Sequence, residues 1–155
     1  MDNNIQVIRQ AHEGDLKSLQ LFLIENKLRP SIVINENSLY YYTQIDGKMI
    51  GTIGAEFNQH YALIRAAGIA QEWRKQGIAQ NLFQKLTTDL EKKGIKHFYL
   101  FSRQASEFWT KMGFTQCSIQ EVVNVLSDTP QVKEFIADKT IWTDVAWYKS
   151  TKSIK

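Results

Sequence analysis

A single cysteine, Cys117, stands among 155 residues, which excludes an internal disulfide framework and any zinc site built on several thiolates. That composition suits a reducing compartment. No segment approaches the roughly 20 uninterrupted apolar residues of a membrane span, and the start Met1-Asp2-Asn3-Asn4 is polar and acidic. The expectation is a cytoplasmic protein that makes no use of a membrane. An excess of one charge is missing too: nineteen Lys and Arg against sixteen Asp and Glu leave a formal charge of +3. This is too small and too scattered for a nucleic-acid surface, although a local basic patch for a phosphorylated small molecule remains compatible with it. Linkers, internal repeats and biased segments are absent, so a chain with 43% hydrophobic residues reads as one domain over residues 1–155.

What is present is a succession of short elements. A strand over Ile5 to Arg9 is followed by Gly14-Asp15 and by Leu16, Leu19, Leu23 and Ile24 at helical spacing, with Asp15 placed to accept from the first-turn amides. Leu39 to Ile45 and Lys48 to Phe57 flank Asp46-Gly47, a pair suited to a two-residue hairpin. After Asn58-Gln59-His60 a third strand runs from Tyr61 to Ile69, giving an antiparallel meander. Ile78, Ala79, Leu82, Phe83, Leu86 and Leu90 form the apolar stripe of an amphipathic helix that Gly94 ends. Lys96 to Phe101 then reads as a strand, Ala105 to Met112 as a short helix, and Phe114 to Ile119 as a strand. The last 35 or so residues are less regular, with a short helix opened by Thr129-Pro130 and a closing strand over Asp144 to Lys149. The fold class is α/β with a mixed sheet.

Between strand and helix lies Arg74-Lys75-Gln76-Gly77-Ile78-Ala79. First-turn amides lack internal partners and carry the positive end of the helix dipole, while a glycine lets an anion approach the backbone closely. Anion binding and a plain charged turn are both consistent with these six residues. Gly-x-Gly-x-x-Gly is absent, as are Gly-Lys-Ser and Gly-Lys-Thr, which disfavours dinucleotide binding and nucleotide hydrolysis.

The pattern Arg74-x-x-Gly77-x-Ala79 resembles motif A of the GNAT superfamily of N-acetyltransferases, Gln/Arg-x-x-Gly-x-Gly/Ala. Downstream, Ala105-x-x-Phe108-Trp109-x-x-Met112-Gly113-Phe114 is similar to the second signature, Ala-x-x-Phe-Tyr-x-x-x-Gly-Phe. More narrowly, Ala62 to Ile69, Tyr99 to Ser102 and Thr129-Pro130-x-x-x-Glu134-Phe135 resemble a branch associated with arsenic resistance and related to acetylglutamate synthase domains. The resemblance implies a mostly antiparallel twisted sheet flanked by helices, with the strand Tyr61 to Ile69 splayed from the strand Lys96 to Phe101 around the pantetheine arm. It implies acetyl-CoA as co-substrate and transfer to a primary amine, on an amino-acid-like small molecule, by direct attack.

The same resemblance assigns the pyrophosphate to Arg74, Lys75, Gln76, Gly77, Ile78 and Ala79, and the thioester carbonyl to the backbone amide of Ile69. Ser102 falls where an asparagine contact to CoA often lies. Trp109 takes the place of a tyrosine acid; indole only donates, so Trp109 packs on the pantetheine or belongs to the core. Glu56 is the first candidate for the base that takes the amine proton, with Glu72 second, while His12, His60 and His97 are scattered. Arg65, set in an apolar strand, needs a partner: a substrate carboxylate, as in acetylglutamate synthase domains, or an internal ion pair. No metal site is expected. Trp142, Trp147 and Tyr148 close the core or line an acceptor pocket or a homodimer seam. The rival functions are a non-catalytic acyl-CoA-binding regulatory module and a protein-interaction domain with a merely structural glycine loop.

Overall fold

The computed structural model describes residues 7–151. The start Met1-Asp2-Asn3-Asn4 and the first two residues of the expected opening strand, Ile5 and Gln6, lie outside them. The elements are β1 (Ile8–Gln10), α1 (Leu16–Glu25), β2 (Ser38–Ile45), β3 (Lys48–Phe57), β4 (Tyr61–Ile69), α2 (Ile78–Lys92), β5 (His97–Phe101), α3 (Ser106–Lys111), β6 (Thr115–Cys117), α4 (Ile119–Leu126), α5 (Pro130–Ala137) and β7 (Ala146–Ser150). The strands form one mixed, mostly antiparallel sheet in the order β1-β2-β3-β4-β5-β7-β6. A parallel ladder joins β4 to β5 from Tyr61↔His97 to Ile64↔Leu100, and it stops there although β4 continues to Ile69. Among the described residues no helix is long and apolar enough to cross a membrane.

The described chain divides into two compact units. One comprises the chain through Ala55 together with Ala66–Asp89; the other comprises Glu56–Arg65 and the chain from Leu90 onward. The boundaries fall inside β3, β4 and α2.

In the first unit the Asp46-Gly47 turn has positive φ at both residues, as a hairpin that follows strand twist requires. Asp15 behaves differently from expectation. Its carboxylate accepts from the His12 amide at 2.9 Å, closing a tight turn ahead of α1, and makes no cap to the helix. Gly51 of β3 is a close-approach position: a Cβ there would stand 2.9 Å from Ile69 Cδ1 and 3.1 Å from Leu82 Cδ1. Its bare Cα therefore admits the end of β4 and the start of α2 against β3.

The β3–β4 ladder contains an irregularity that alternation does not predict. At its turn the Asn58 amide donates to the Tyr61 carbonyl at 3.0 Å, and at its far end the Ala70 amide donates to the Ile50 carbonyl at 2.8 Å. Eight residues separate Asn58 from Ile50 and nine separate Tyr61 from Ala70, so β4 carries one extra residue. That is a β-bulge, and its position is marked by Ala66, the one residue of β3 or β4 with a left-handed φ, at 57°.

In the second unit Leu63, Tyr99, Val122, Leu126, Val132, Phe135, Ile141 and Ala146 form one buried cluster. Its helix α4 departs from the sequence pattern: the strand expected over Phe114 to Ile119 ends at Cys117, because Ser118 caps a helix, its Oγ accepting from the Glu121 amide at 3.1 Å. Thr129-Pro130 does open α5, with proline in its first turn.

Candidate functional site

The strand-to-helix turn of the first unit is built in three steps. After β4 ends at Ile69, Gln71–Trp73 make one tight turn, Arg74 is extended, and Lys75 and Gly77 both take left-handed φ, at 65° and 82°. The first bond of α2 runs from the Asn81 amide to the Gly77 carbonyl at 3.1 Å. The amides of residues 77–80 thus precede any partner within the helix. A Cβ at Gly77 would meet nothing within 4 Å, so the space over this turn is open, while Arg74, Lys75, Gln76 and Gly77 are all exposed. Ile78 is buried against β3 and anchors the helix start, and Ala79 is half-buried.

Unpaired amides at a positive helix end, an open glycine and two flanking cations fit an anionic group such as a pyrophosphate. Arg74 also ties the turn to the end of β4, its Nε donating to the Ile69 carbonyl at 2.9 Å. The nearest acidic group on the turn, Glu72, is exposed and 3.9 Å from Lys48 Nζ.

Glu56 and Arg65 are brought together in the second unit. Arg65 Nη1 donates to Glu56 Oε2 at 2.8 Å, with side chains 2% and 1% exposed. The other oxygen, Glu56 Oε1, accepts from the Gln131 amide in the first turn of α5 at 2.8 Å. Arg65 therefore meets an internal carboxylate, the ion-pair alternative of its two readings, and both oxygens of Glu56, the first candidate for the base, accept hydrogen bonds. Arg65 Nε is buried without a hydrogen-bond partner among the described residues.

The remaining candidates either make internal contacts or lie exposed. The Ser102 amide donates to the Val145 carbonyl at 2.8 Å, its hydroxyl donates to the Gln104 carbonyl, and its own carbonyl accepts from Trp147 Nε1 at 3.0 Å. Trp109 is buried, edge-on to Phe108 and Phe114 with ring centroids 4.9 and 5.4 Å away, the core reading of its helical stripe. His12 and His60 are exposed, and His97 Nδ1 lies 2.7 Å from the Tyr148 hydroxyl. Burial and then a hydrogen bond to Glu121 push the Tyr99 hydroxyl well above its ordinary value. Trp147 is buried, whereas Trp142 is exposed.

The residues that sequence reasoning misses are Gly51, Thr52, Ala66 and Gln131. An alanine gives no sign of a left-handed φ, and Gln131 acts through its backbone amide, so neither advertises itself by side-chain type.

The model of the Acetyltransferase (GNAT) family matches residues 7–114. A curated relative, the probable N-acetyltransferase camello of Xenopus tropicalis, is 23% identical over 100 residues, which are 60% of this chain and 46% of the relative. The chain thus spans about half the length of that relative. Among solved structures, N-acetylglutamate synthase from Neisseria gonorrhoeae, complexed with coenzyme A and N-acetyl-glutamate, superposes with a TM-score of 0.72 at 15% identity, over 98% of this chain and 36% of that one. The PaiA N-acetyltransferase from Thermoplasma acidophilum, in complex with coenzyme A, gives 0.68 at 18% identity, over 96% of this chain and 100% of that one. At these identities the two structures establish the fold.

Proposed function

The chain belongs to the GNAT acetyltransferase family, and from that premise we propose that it moves an acetyl group from acetyl-CoA to a primary amine of a small molecule. The observation that carries this reading is the open turn at the start of α2, with its unpaired amides and exposed Lys75. When bound, acetyl-CoA supplies a thioester whose carbonyl carbon accepts the amine nitrogen while the carbon–sulfur bond breaks and CoA leaves as its thiolate. The amides of residues 77–80 and Lys75 hold the pyrophosphate, and Gly77 keeps that approach clear. The backbone amide of Ile69 donates to the thioester oxygen, where negative charge develops. The amine's proton passes to water, since Glu56 is committed to Arg65 and to the Gln131 amide, and a thiolate is a sufficiently stable leaving group without a tyrosine acid.

Support for a small acceptor comes from the structural relatives: one is crystallised with N-acetyl-glutamate, an acylated amino acid. The acceptor reading does not draw on Arg65. An amino-acid-like acceptor, a soluble single-domain chain and a cytoplasmic setting remain parts of this proposal. The test is thiol release from acetyl-CoA in the presence of free amino acids, polyamines and short peptides, each with the acetylated product identified by mass. Acetylated amino acids or polyamines are expected. Acetylated peptides alone would replace the small-molecule acceptor with a polypeptide amine, and tight acetyl-CoA binding with no product would favour a regulatory acyl-CoA-binding module.

A further inference from the structure

We propose that Thr52 is a positioning residue for acetyl transfer, its buried hydroxyl clasping the left-handed residue of the β4 bulge and so fixing the course of the backbone from Ala67 to Ile69. The inference rests on the acetyl-transfer reading above and adds to it a residue with no contact to either substrate.

Three observations lead there. Thr52 is 2% exposed, a polar side chain inside β3 whose hydroxyl must find a partner, and its Oγ1 donates to the Ala66 carbonyl at 2.7 Å. Ala66 has a φ of 57°, a conformation that costs any residue bearing a Cβ and persists only where the surroundings over-determine it. The carbonyl that Thr52 holds belongs to the peptide group joining Ala66 to Ala67, so the hydroxyl fixes the plane of the very amide that opens the segment. Exposure changes at this point as well: Ala62 to Arg65 are buried, whereas Ala66 is half-buried and Ala67 is exposed. A hydroxyl on the neighbouring strand is a device for holding one alanine in a conformation that glycine would take unaided. The far end of the same segment is held independently, by the Ala70 amide on the Ile50 carbonyl and by Arg74 on the Ile69 carbonyl.

The chemistry makes orientation matter. An amide aimed at the developing oxyanion acts only if it is already in place when charge appears, so a peptide plane free to turn lowers the rate of the chemical step while leaving donor binding at the α2 turn intact.

The experiment compares the full wild-type chain with T52V, T52S and the double variant T52V/A66G. Acetyl-CoA affinity is read by calorimetry, turnover by thiol release with the best amine of the panel, and backbone mobility by amide hydrogen exchange over residues 66–69. T52V keeps the shape of threonine and loses the donor. It is expected to lower kcat about tenfold with acetyl-CoA affinity within about twofold of wild type, and to exchange faster over residues 66–69. T52S is expected to restore kcat to within about threefold of wild type, and A66G to recover part of the T52V loss because glycine takes this φ without the clasp. Wild-type kcat in T52V, a T52S variant as slow as T52V, or equal losses of affinity and turnover with folding at the assay temperature impaired would each overturn the role. Wild-type protein that neither binds acetyl-CoA nor releases thiol would remove the acetyl-transfer reading itself, an outcome distinct from a failure confined to the variants.

Discussion

Glu56 and Arg65 show how one buried contact ties two residues together. With side chains 1% and 2% exposed, each is the other's counter-charge, and removing one leaves a buried charge without compensation. R65A is expected to destabilise the fold by about 3–5 kcal/mol in urea unfolding, whereas a guanidinium reserved for substrate would raise KM at nearly unchanged stability. A change below about 1 kcal/mol would contradict the pairing. Cys117 supplies a second residue-level test. Burial first, and the Glu121 carboxylate second, raise its thiol from the ordinary 9.0 to about 11. The folded protein thus keeps a proton that the unfolded chain releases, so Cys117 leaves stability unchanged below about pH 9 and lowers it as pH rises from about 9 to about 11. The thiol is expected to resist iodoacetamide at pH 8 in the folded protein and to react on unfolding; rapid labelling of folded protein would contradict it. The need of Arg65 for a partner is legible in its apolar strand. Which partner is not, since nothing local distinguishes an internal carboxylate from a substrate's.

Among the helices and strands, the strongest sequence signals are those in which side-chain type and backbone need coincide. Asp46-Gly47 makes its turn, and the stripe from Ile78 to Leu90 makes α2. Helix α4 is hidden because Ile119, Val122, Val123 and Val125 are β-branched residues beside a strand, so their helical spacing competes with strand propensity. Packing decides for the helix: Val122 and Leu126 are fully buried in the cluster with Leu63 and Phe135. S118A is expected to cost about 1 kcal/mol through loss of the cap, and L126A about 2–5 kcal/mol through the cavity, both read by chemical denaturation. A neutral L126A would mean that α4 does not seal that core. The β4 bulge is illegible for another reason: its left-handed residue is an alanine, held by a neighbouring strand that local sequence cannot reveal.

Across the whole chain, the two spaced motifs and the order of elements carry the family and the mixed sheet. Both follow from chain-local patterns, in which residue type and spacing show without knowledge of what meets across the fold. Acceptor identity lies outside such patterns, because it depends on which side chains meet across the fold. Everything proposed for function depends on the turn from Arg74 to Ala79 holding acetyl-CoA through its pyrophosphate, and the decisive measurement is calorimetric titration of acetyl-CoA into wild-type and G77E protein. The added carboxylate would stand in the open space over Gly77, at a φ of 82° that also strains any side chain, so unfolding curves accompany the titration. Wild-type protein is expected to bind with a Kd of about 1–100 µM, and folded G77E at least about a hundredfold more weakly. Absence of wild-type binding, or equal affinity in folded G77E, would contradict a pyrophosphate site at this turn.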